Sequence, residues 1–190
     1  MDYPVIIGGS AGSFRILSRI IPLAEKGFRF PMIICVHRLR KDSDTFLPAL
    51  KGNHRVHIKE AENQEKLVPG IIYVCPANKH LLLDKGRFLL SSEAPVNYSR
   101  PSIDVTMKSG AKMYGKELLG ILLTGANTDG VEGMKAIHDA GGITVVQDPD
   151  DAEVAVMPRA AVDSFPPSHI LPADKIINFI QNLIHFHEDT

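Results

Sequence analysis

The chain has 190 residues, of which 44% are hydrophobic and 23% charged, and its 21 lysines and arginines nearly balance 22 aspartates and glutamates. This composition is typical of one globular domain and excludes a disordered or collagen-like chain. The net charge of −1 provides no basic field, so we expect no nucleic-acid partner.

The start of the chain, MDYPVIIGG, lacks the basic segment of a signal peptide, and no apolar run approaches the roughly 18 residues of a membrane span. Cys35 and Cys75 lie in apolar runs, and two cysteines without CxxC spacing do not form a disulfide framework. We therefore expect a cytoplasmic protein that is not inserted in a membrane and has two buried free thiols.

The first third of the chain alternates short apolar runs with helical patterns. Apolar runs bounded by glycine or proline predict strands, and apolar residues at helical spacing predict helices. The predicted strands are Val5–Ile7, Met32–Val36 and His57–Lys59, and the predicted helices are Ser13–Ile21, which ends before Pro22, and Asp44–Lys51.

The middle of the chain breaks this alternation. Three short apolar runs follow one another at Ile71–Cys75, His80–Leu83 and Arg87–Ser91. The sequence Asp84-Lys85-Gly86 between the last two predicts a tight antiparallel hairpin. Residues 93–99 are polar and predict a loop.

Regular alternation returns in the last part of the chain. Ser102 is predicted to cap a helix that reaches about Tyr114 and ends at Gly115. Pro158 is predicted to open a short helix at its first position, where proline is tolerated. The other predicted elements are the strands Leu118–Leu123 and Ile143–Gln147 and the helices Gly130–Ala140 and Ala173–His187.

Strands separated by helices of this length predict right-handed βαβ units. The predicted fold class is therefore α/β: a three-layer open sheet, mostly parallel and doubly wound, with one antiparallel β-hairpin. We expect residues 1–190 to form a single domain.

A glycine-rich turn, Gly8-Gly9-Ser10-Ala11-Gly12, follows the first predicted strand. A dinucleotide fingerprint fails because Ser10 and Ser13 occupy its second and third glycine positions, and a P-loop fails because no lysine follows. The pattern G-x-S-x-G fits and places a serine on a sharp turn with a helix N-terminus behind it. Taken alone, the pattern is equally consistent with a plain Gly/Ser turn.

Two further polar residues follow predicted strands at the same edge. His37 comes directly after Met32–Val36, and if that strand pairs with the first, their backbones lie about 5 Å apart, which makes His37 a candidate general base for Ser10. Asp129 lies in the turn Thr124–Gly130, where helix capping is an equal explanation. Since the crevice of an open α/β sheet forms at this edge, we predict a Ser10–His37–Asp129 triad.

Residues next to the triad carry weaker predictions. The N–H groups of Ala11 and Gly12 begin the first helix and are the expected oxyanion donors. Arg38, Arg40 and Lys41 are either solvated loop charges or contacts for an acidic partner surface.

Two other chemistries are disfavoured by the sequence. The pairs His54/His57 and His185/His187 lack supporting cysteine or carboxylate ligands, so we predict no metal site, and no cofactor motif is present. Cys35 beside His37 is an unsuitable nucleophile because its strand is predicted to be buried.

Several stretches, in order, carry a family resemblance: IIGGSAGS, IICVH, HIKEAEN, VPGIIYVCPANKHLLL, PVNYSRPSIDV, GILLTGANTDGVEGM and VMPRAAV. On these stretches the chain resembles the catalytic domain of the CheB-type chemotaxis receptor methylesterases. The resemblance implies a serine esterase that hydrolyses γ-glutamyl methyl esters on chemoreceptors and also deamidates receptor glutamines. The family's serine, histidine and aspartate fall on Ser10, His37 and Asp129.

The same resemblance implies partners and a regulatory setting. The expected substrate is the cytoplasmic helices of methyl-accepting chemotaxis receptors, within phosphorelay signal transduction. Family members commonly carry an N-terminal phosphorylatable receiver domain, and the first strand here begins near residue 5. We therefore expect 1–190 to hold the catalytic domain alone, with a separate receiver domain or kinase as partner and no response to phosphodonors.

The chain departs from the family pattern around the triad. The family's G-A-S-T-G-G is Gly8 to Ser13 here, its Met-Pro after the histidine is Arg38-Leu39, and its Met-Gly before the aspartate is Ala126-Asn127. These departures keep an alternative open. It is a catalytically idle relative that acts as a binding module in a signalling complex, or an esterase or amidase with another substrate.

Overall fold

A computed structural model describes residues 3–38 and 43–185. The strands are β1 (Val5–Gly9), β2 (Met32–Val36), β3 (Ile58–Glu60), β4 (Ile72–Val74), β5 (His80–Asp84), β6 (Arg87–Ser91), β7 (Leu119–Leu122), β8 (Ile143–Gln147) and β9 (His169–Leu171). The helices are α1 (Ser13–Ile20), α2 (Ser43–Lys51), α3 (Ile103–Tyr114), α4 (Val131–Asp139), α5 (Val156–Ser164) and α6 (Ala173–His185).

Seven strands form one parallel sheet in the order β3-β4-β2-β1-β7-β8-β9. The chain first builds outward from β1 through β2 and then adds β7 on the opposite side of β1. Strand order therefore reverses at β1, and in open α/β sheets such a reversal opens a crevice at the carboxyl edge.

Alternate strand residues face opposite sides of this sheet, because side chains alternate along a strand. Val5 and Ile7 lie in a core with α1, α2 and α6, whereas Ile6 and Ile33 lie in a second core with α3, α4 and α5. The prediction of a three-layer, doubly wound α/β fold is confirmed.

The β5–β6 hairpin is also confirmed, with Asp84 opposite Arg87 and a turn at Lys85-Gly86. It covers the second core beside α3: the rings of Tyr73 and Phe88 meet edge to face at 4.7 Å. The Leu83 N–H donates to Ser109 Oγ of α3 at 3.0 Å.

Two elements differ from the sequence-based prediction. Strand β9 was not predicted, because its three residues are at most half-buried and present no buried apolar run. Helix α5 begins at Val156, so Pro158 is its third residue; the first N–H groups of a helix lack intrahelical partners, and proline is equally tolerated there. His187 lies outside the described residues.

No helix within residues 3–38 and 43–185 combines the length and apolar character that crossing a bilayer would require.

Candidate active site

Ser10 lies on a sharp turn between β1 and α1. Its N–H donates to the Thr124 carbonyl at 2.9 Å, and its own carbonyl accepts both the N–H and the hydroxyl of Ser13, at 3.0 and 2.6 Å. Gly12 adopts a φ of +82°, and a Cβ there would come within 3.0 Å of the Glu153 side chain, so the turn requires glycine. The Ser10 side chain is thereby presented, half-buried, at the carboxyl edge of the sheet.

His37 follows the last residue of β2 and lies beside Ser10. The register pairs Gly9 with Val36, and the N–H of His37 reaches the Gly9 carbonyl at 3.4 Å, so the next residues on the two strands are neighbours. The distance from Ser10 Oγ to His37 Nδ1 is 3.2 Å.

Asp129 completes a hydrogen-bonded series. Its Oδ2 lies 2.7 Å from His37 Nε2, and the side chain is completely buried. The N-terminus of α3 points at the same carboxylate: the Ser102 hydroxyl donates to Oδ1 at 2.7 Å, the Ile103 N–H to Oδ2 at 2.7 Å and the Asp104 N–H to Oδ1 at 3.1 Å. A helix N-terminus favours a negative charge at this position.

These donors fix the proton on the imidazole. Burial raises the pKa of Asp129, but hydrogen bonds from His37, Ser102 and the N–H groups of Ile103 and Asp104 outweigh it, and the net pKa is lowered. An ionised carboxylate only accepts hydrogen bonds, so His37 Nε2 carries the proton and Nδ1 is free to accept the Ser10 hydroxyl. Relative to chymotrypsin-type triads, the two ring nitrogens exchange partners, since Nδ1 faces the serine and Nε2 faces the carboxylate.

A second buried carboxylate, that of Asp104, joins the N-terminus of α3 to the N-terminus of α4. Asp104, in the first turn of α3, accepts the N–H groups of Gly130 and Gly133 at the start of α4, at 2.9 and 2.7 Å. Burial raises the pKa of Asp104 against the Gly133 hydrogen bond, and the nearby charge of Asp129 raises it further. Asp104 of α3 therefore binds the N-terminus of α4, and Asp129, which lies just before α4, binds the N-terminus of α3.

Asn127 lies next to the His37 ring. Its amide nitrogen is 3.4 Å from His37 Nδ1 and 3.4 Å from Ser99 Oγ, and its amide oxygen accepts the Asp129 N–H at 3.1 Å. From the sequence, only turn chemistry was predicted for Asn127. The spacing Asn-x-Asp, typical of an Asx turn, was the available signal.

The loop after β7 is hydrogen-bonded directly to the turn that carries Ser10. The Thr124 hydroxyl lies 3.0 Å from the Ala11 carbonyl and accepts the Val154 N–H at 2.8 Å, and the Thr124 N–H donates to Gln147 Oε1 at 2.8 Å. Sequence reasoning did not identify Ser102, Asp104 and Thr124 as supports of the site, because their partners come from distant parts of the chain.

The start of α1 offers free donors. Among residues 3–38 and 43–185, the N–H groups of Ala11 and Gly12 have no protein acceptor. A cleft of about 360 Å³ lies beside Ser10, with Phe14 and His37 among its other lining residues.

Arg38 corrects one expectation. Its side chain is only 3% exposed and forms an ion pair with Glu60, and its Nη2 donates to the Cys75 carbonyl at 2.8 Å. The guanidinium also lies over the Phe46 ring at 5.2 Å. A buried, paired guanidinium is neither a solvated loop charge nor an exposed contact for an acidic partner. The other two predicted contacts, Arg40 and Lys41, lie outside the described residues.

The cysteines are free and buried, as the composition predicted. The hydrogen bond to Cys75 and burial hold the pKa of Cys35 well above its ordinary value, so this thiol stays neutral. His54 hydrogen-bonds Glu25 through Nδ1 at 2.8 Å.

A hydroxyl, an imidazole and an ionised carboxylate in series, at the carboxyl edge of a parallel α/β sheet, are the arrangement of serine hydrolases. The family model for the CheB methylesterase matches residues 5–180. The chain belongs to the CheB methylesterase family.

Individual relatives agree with this assignment. A Leptospira interrogans protein named as a protein-glutamate methylesterase/protein-glutamine glutaminase is 39% identical over 178 residues, which cover 93% of this chain and 92% of that protein. A Carboxydothermus hydrogenoformans protein of the same name is also 39% identical, over 90% of this chain but only 52% of that longer protein. The crystal structure of the Thermotoga maritima CheB methylesterase catalytic domain superposes with a TM-score of 0.89 at 29% identity, covering 97% of this chain and all of that one.

Proposed function

We propose that this protein is a serine esterase that hydrolyses γ-glutamyl methyl esters on the cytoplasmic helices of chemotaxis receptors and deamidates receptor glutamines. The hydrogen-bonded series Ser10–His37–Asp129 carries the proposal, because it supplies a nucleophile, a base and a carboxylate that fixes the tautomer of the base. Ser10 Oγ lies 3.2 Å from His37 Nδ1, and His37 Nε2 lies 2.7 Å from Asp129 Oδ2. The family assignment supplies the substrate class.

In the acylation step, Ser10 Oγ attacks the ester carbonyl carbon while His37 Nδ1 takes the hydroxyl proton. The N–H groups of Ala11 and Gly12, which have no acceptor in the described chain, would stabilise the oxyanion. When the tetrahedral intermediate collapses, the C–O bond to the methoxy group breaks and His37 returns its proton to the departing methanol. Asp129 stabilises the imidazolium throughout.

In the deacylation step, water replaces methanol. His37 Nδ1 takes a proton from the water while the water oxygen adds to the acyl carbon. The bond between the acyl carbon and Ser10 Oγ then breaks, His37 returns the proton to Ser10 Oγ, and a glutamate carboxyl group is released. The same cycle on a glutamine side chain releases ammonia instead of methanol, so one site accounts for both expected activities.

Methanol release from methylated receptor cytoplasmic domain tests the proposal, with ammonia release from the unmethylated receptor as a parallel assay. Ser10→Ala and His37→Ala should each abolish nearly all activity, and the double variant should be little worse, because the residues act as a unit. Activity retained in Ser10→Ala would contradict a serine esterase. Receptor binding without turnover in the wild type would favour the idle binding module.

A further inference from the structure

Beside the active site, residues 96–99 form a two-residue β-turn whose backbone is tightly fixed. Val96 and Ser99 exchange two backbone hydrogen bonds, at 2.9 and 3.1 Å. The Asn97 amide donates to Asp104 Oδ2 at 2.9 Å, and Arg100 donates to the carbonyls of Ser92 and Glu93 at 2.8 Å each. The turn is therefore anchored both to α3 and to the loop that leads into it.

The two central residues of this turn are unusual for their conformation. Asn97 and Tyr98 have φ values of +50° and +61°. Such turns favour asparagine followed by glycine, and a bulky aromatic residue at the second position is disfavoured. Strained residues of this kind are concentrated at functional sites.

Packing within the protein does not offset this strain, because the Tyr98 side chain is fully exposed. Tyr98 has a fractional exposure of 104%, whereas the other exposed large apolar residues within 3–38 and 43–185 range from 36 to 50%. A tyrosine ring on a rigid backbone loses the freedom of only two side-chain torsions when it binds another surface, and tyrosine is enriched in binding hot spots.

The position of Tyr98 indicates what it binds. Tyr98 lines a cleft of about 240 Å³ together with His37, Arg38, Ser99 and Arg100. Phe14, 41% exposed, lines the adjoining cleft beside Ser10, and Val96, 38% exposed, belongs to the same turn as Tyr98. Each of the two clefts that contain His37 therefore has an exposed aromatic ring in its lining, which suits a polypeptide substrate with apolar side chains.

We propose that Tyr98 is a specificity-determining residue whose ring packs against apolar side chains of the protein segment that carries the ester. This inference rests on the proposed esterase function and adds that protein substrates are distinguished from small esters at the 96–99 turn. Tyr98 itself takes no part in bond making or proton transfer.

The test compares kcat/KM for methylated receptor cytoplasmic domain with kcat/KM for a blocked glutamate γ-methyl ester. In Tyr98→Gly, the ratio of these two values should fall about tenfold, mainly through a higher KM for the receptor. Because glycine relieves the positive φ, Tm should rise by about 1–4 °C despite the loss of receptor activity. Asparagine tolerates this backbone conformation, so Tyr98→Asn should lower the ratio of the two kcat/KM values by the same factor as Tyr98→Gly. Tyr98→Phe should leave the ratio at its wild-type value.

Lys85→Gly is the matched control. Lys85 has a φ of +47° in the turn of the β5–β6 hairpin, at the end opposite His80, which accepts the Ser102 N–H. Its replacement should stabilise the protein similarly and leave both kcat/KM values unchanged.

The outcomes separate the two proposals. An unchanged ratio in Tyr98→Gly and Tyr98→Asn, with an active wild type, would overturn the role of Tyr98 alone. A rise in activity on both substrates would overturn it too, since the ring would then obstruct the cleft. A wild type that hydrolyses the small ester but releases no methanol from receptor would overturn the proposed function together with this inference.

Discussion

Asp104 and Asp129 are two buried carboxylates at neighbouring helix N-termini, and their pKa values are shifted in opposite directions. Burial acts to raise both pKa values. Asp129 receives two side-chain donors, His37 and Ser102, in addition to two backbone N–H groups, and its net pKa is lowered. Asp104 receives two N–H groups and the Asn97 amide, and its net pKa is raised.

Contact with a helix N-terminus alone therefore does not lower the pKa of a buried carboxylate. Two side-chain donors, the His37 imidazole and the Ser102 hydroxyl, lower the pKa of Asp129, whereas the charge of Asp129 itself raises the pKa of Asp104. Asp104 is accordingly a structural support, and Asp129 is the residue that we expect to act in catalysis.

Asp129→Asn should have the largest effect on activity. An amide in place of the carboxylate can donate to His37 Nε2 and so stabilise the tautomer that has a proton on Nδ1, facing Ser10. We expect kcat for methanol release to fall by up to ~10⁴-fold while circular dichroism shows an intact fold. A loss of less than tenfold would remove Asp129 from the proposed triad.

Asp104→Ala should lower the free energy of unfolding more than it lowers activity. It leaves the buried N–H groups of Gly130 and Gly133 without their acceptor, and each such loss costs about 1–3 kcal/mol in the free energy of unfolding. Urea denaturation measures this loss, and Asp104→Asn, which keeps one oxygen, should lose less. Asp139→Ala, an exposed aspartate on α4, is the control; an equal loss in both alanine variants would contradict the supporting role.

Ser102→Ala should have a smaller effect on both properties. It removes the hydroxyl that donates to Asp129 Oδ1 and caps α3 by accepting the Val105 N–H. We expect kcat to fall roughly 3–10-fold and stability to fall by about 1 kcal/mol. Ser109→Ala, on the same helix but without contact to Asp129, should lose stability and keep kcat; equal kcat in the two variants would show that the Ser102 hydroxyl does not serve the carboxylate.

The pH dependence of stability should show the smallest effects, with opposite signs at the two aspartates. The lowered pKa of Asp129 gives stability that is present above 3.8, the ordinary value, and is lost as pH falls toward the folded-state value. The raised pKa of Asp104 gives stability that appears as pH falls through the folded-state value toward 3.8.

Urea denaturation between pH 7 and 3 measures this contrast. The stability of the wild type relative to Asp129→Asn should decrease as the pH falls, and its stability relative to Asp104→Asn should increase. Parallel trends in the two comparisons would show that the two carboxylates have similar environments after all.

The sequence by itself determined the order of the elements and most of their bounds. Within the described residues, periodicity predicted eight of the nine strands and all six α-helices, because buried strands and amphipathic helices require patterns that are visible locally. The placement of Ser10 and His37 side by side also followed from the sequence, since residues after adjacent parallel strands meet at one edge.

Only the tertiary structure decided how the site is held together. The orientation of the His37 ring, the donation from the α3 N-terminus to Asp129 and the burial of Arg38 against Glu60 each join residues that are more than 20 positions apart. Local patterns specify which face of an element is buried, but hydrogen-bond partners at this range depend on how the helices pack across the finished sheet. The three-residue strand β9 was missed for a related reason, because pairing with β8, and not its own half-exposed side chains, makes it a strand.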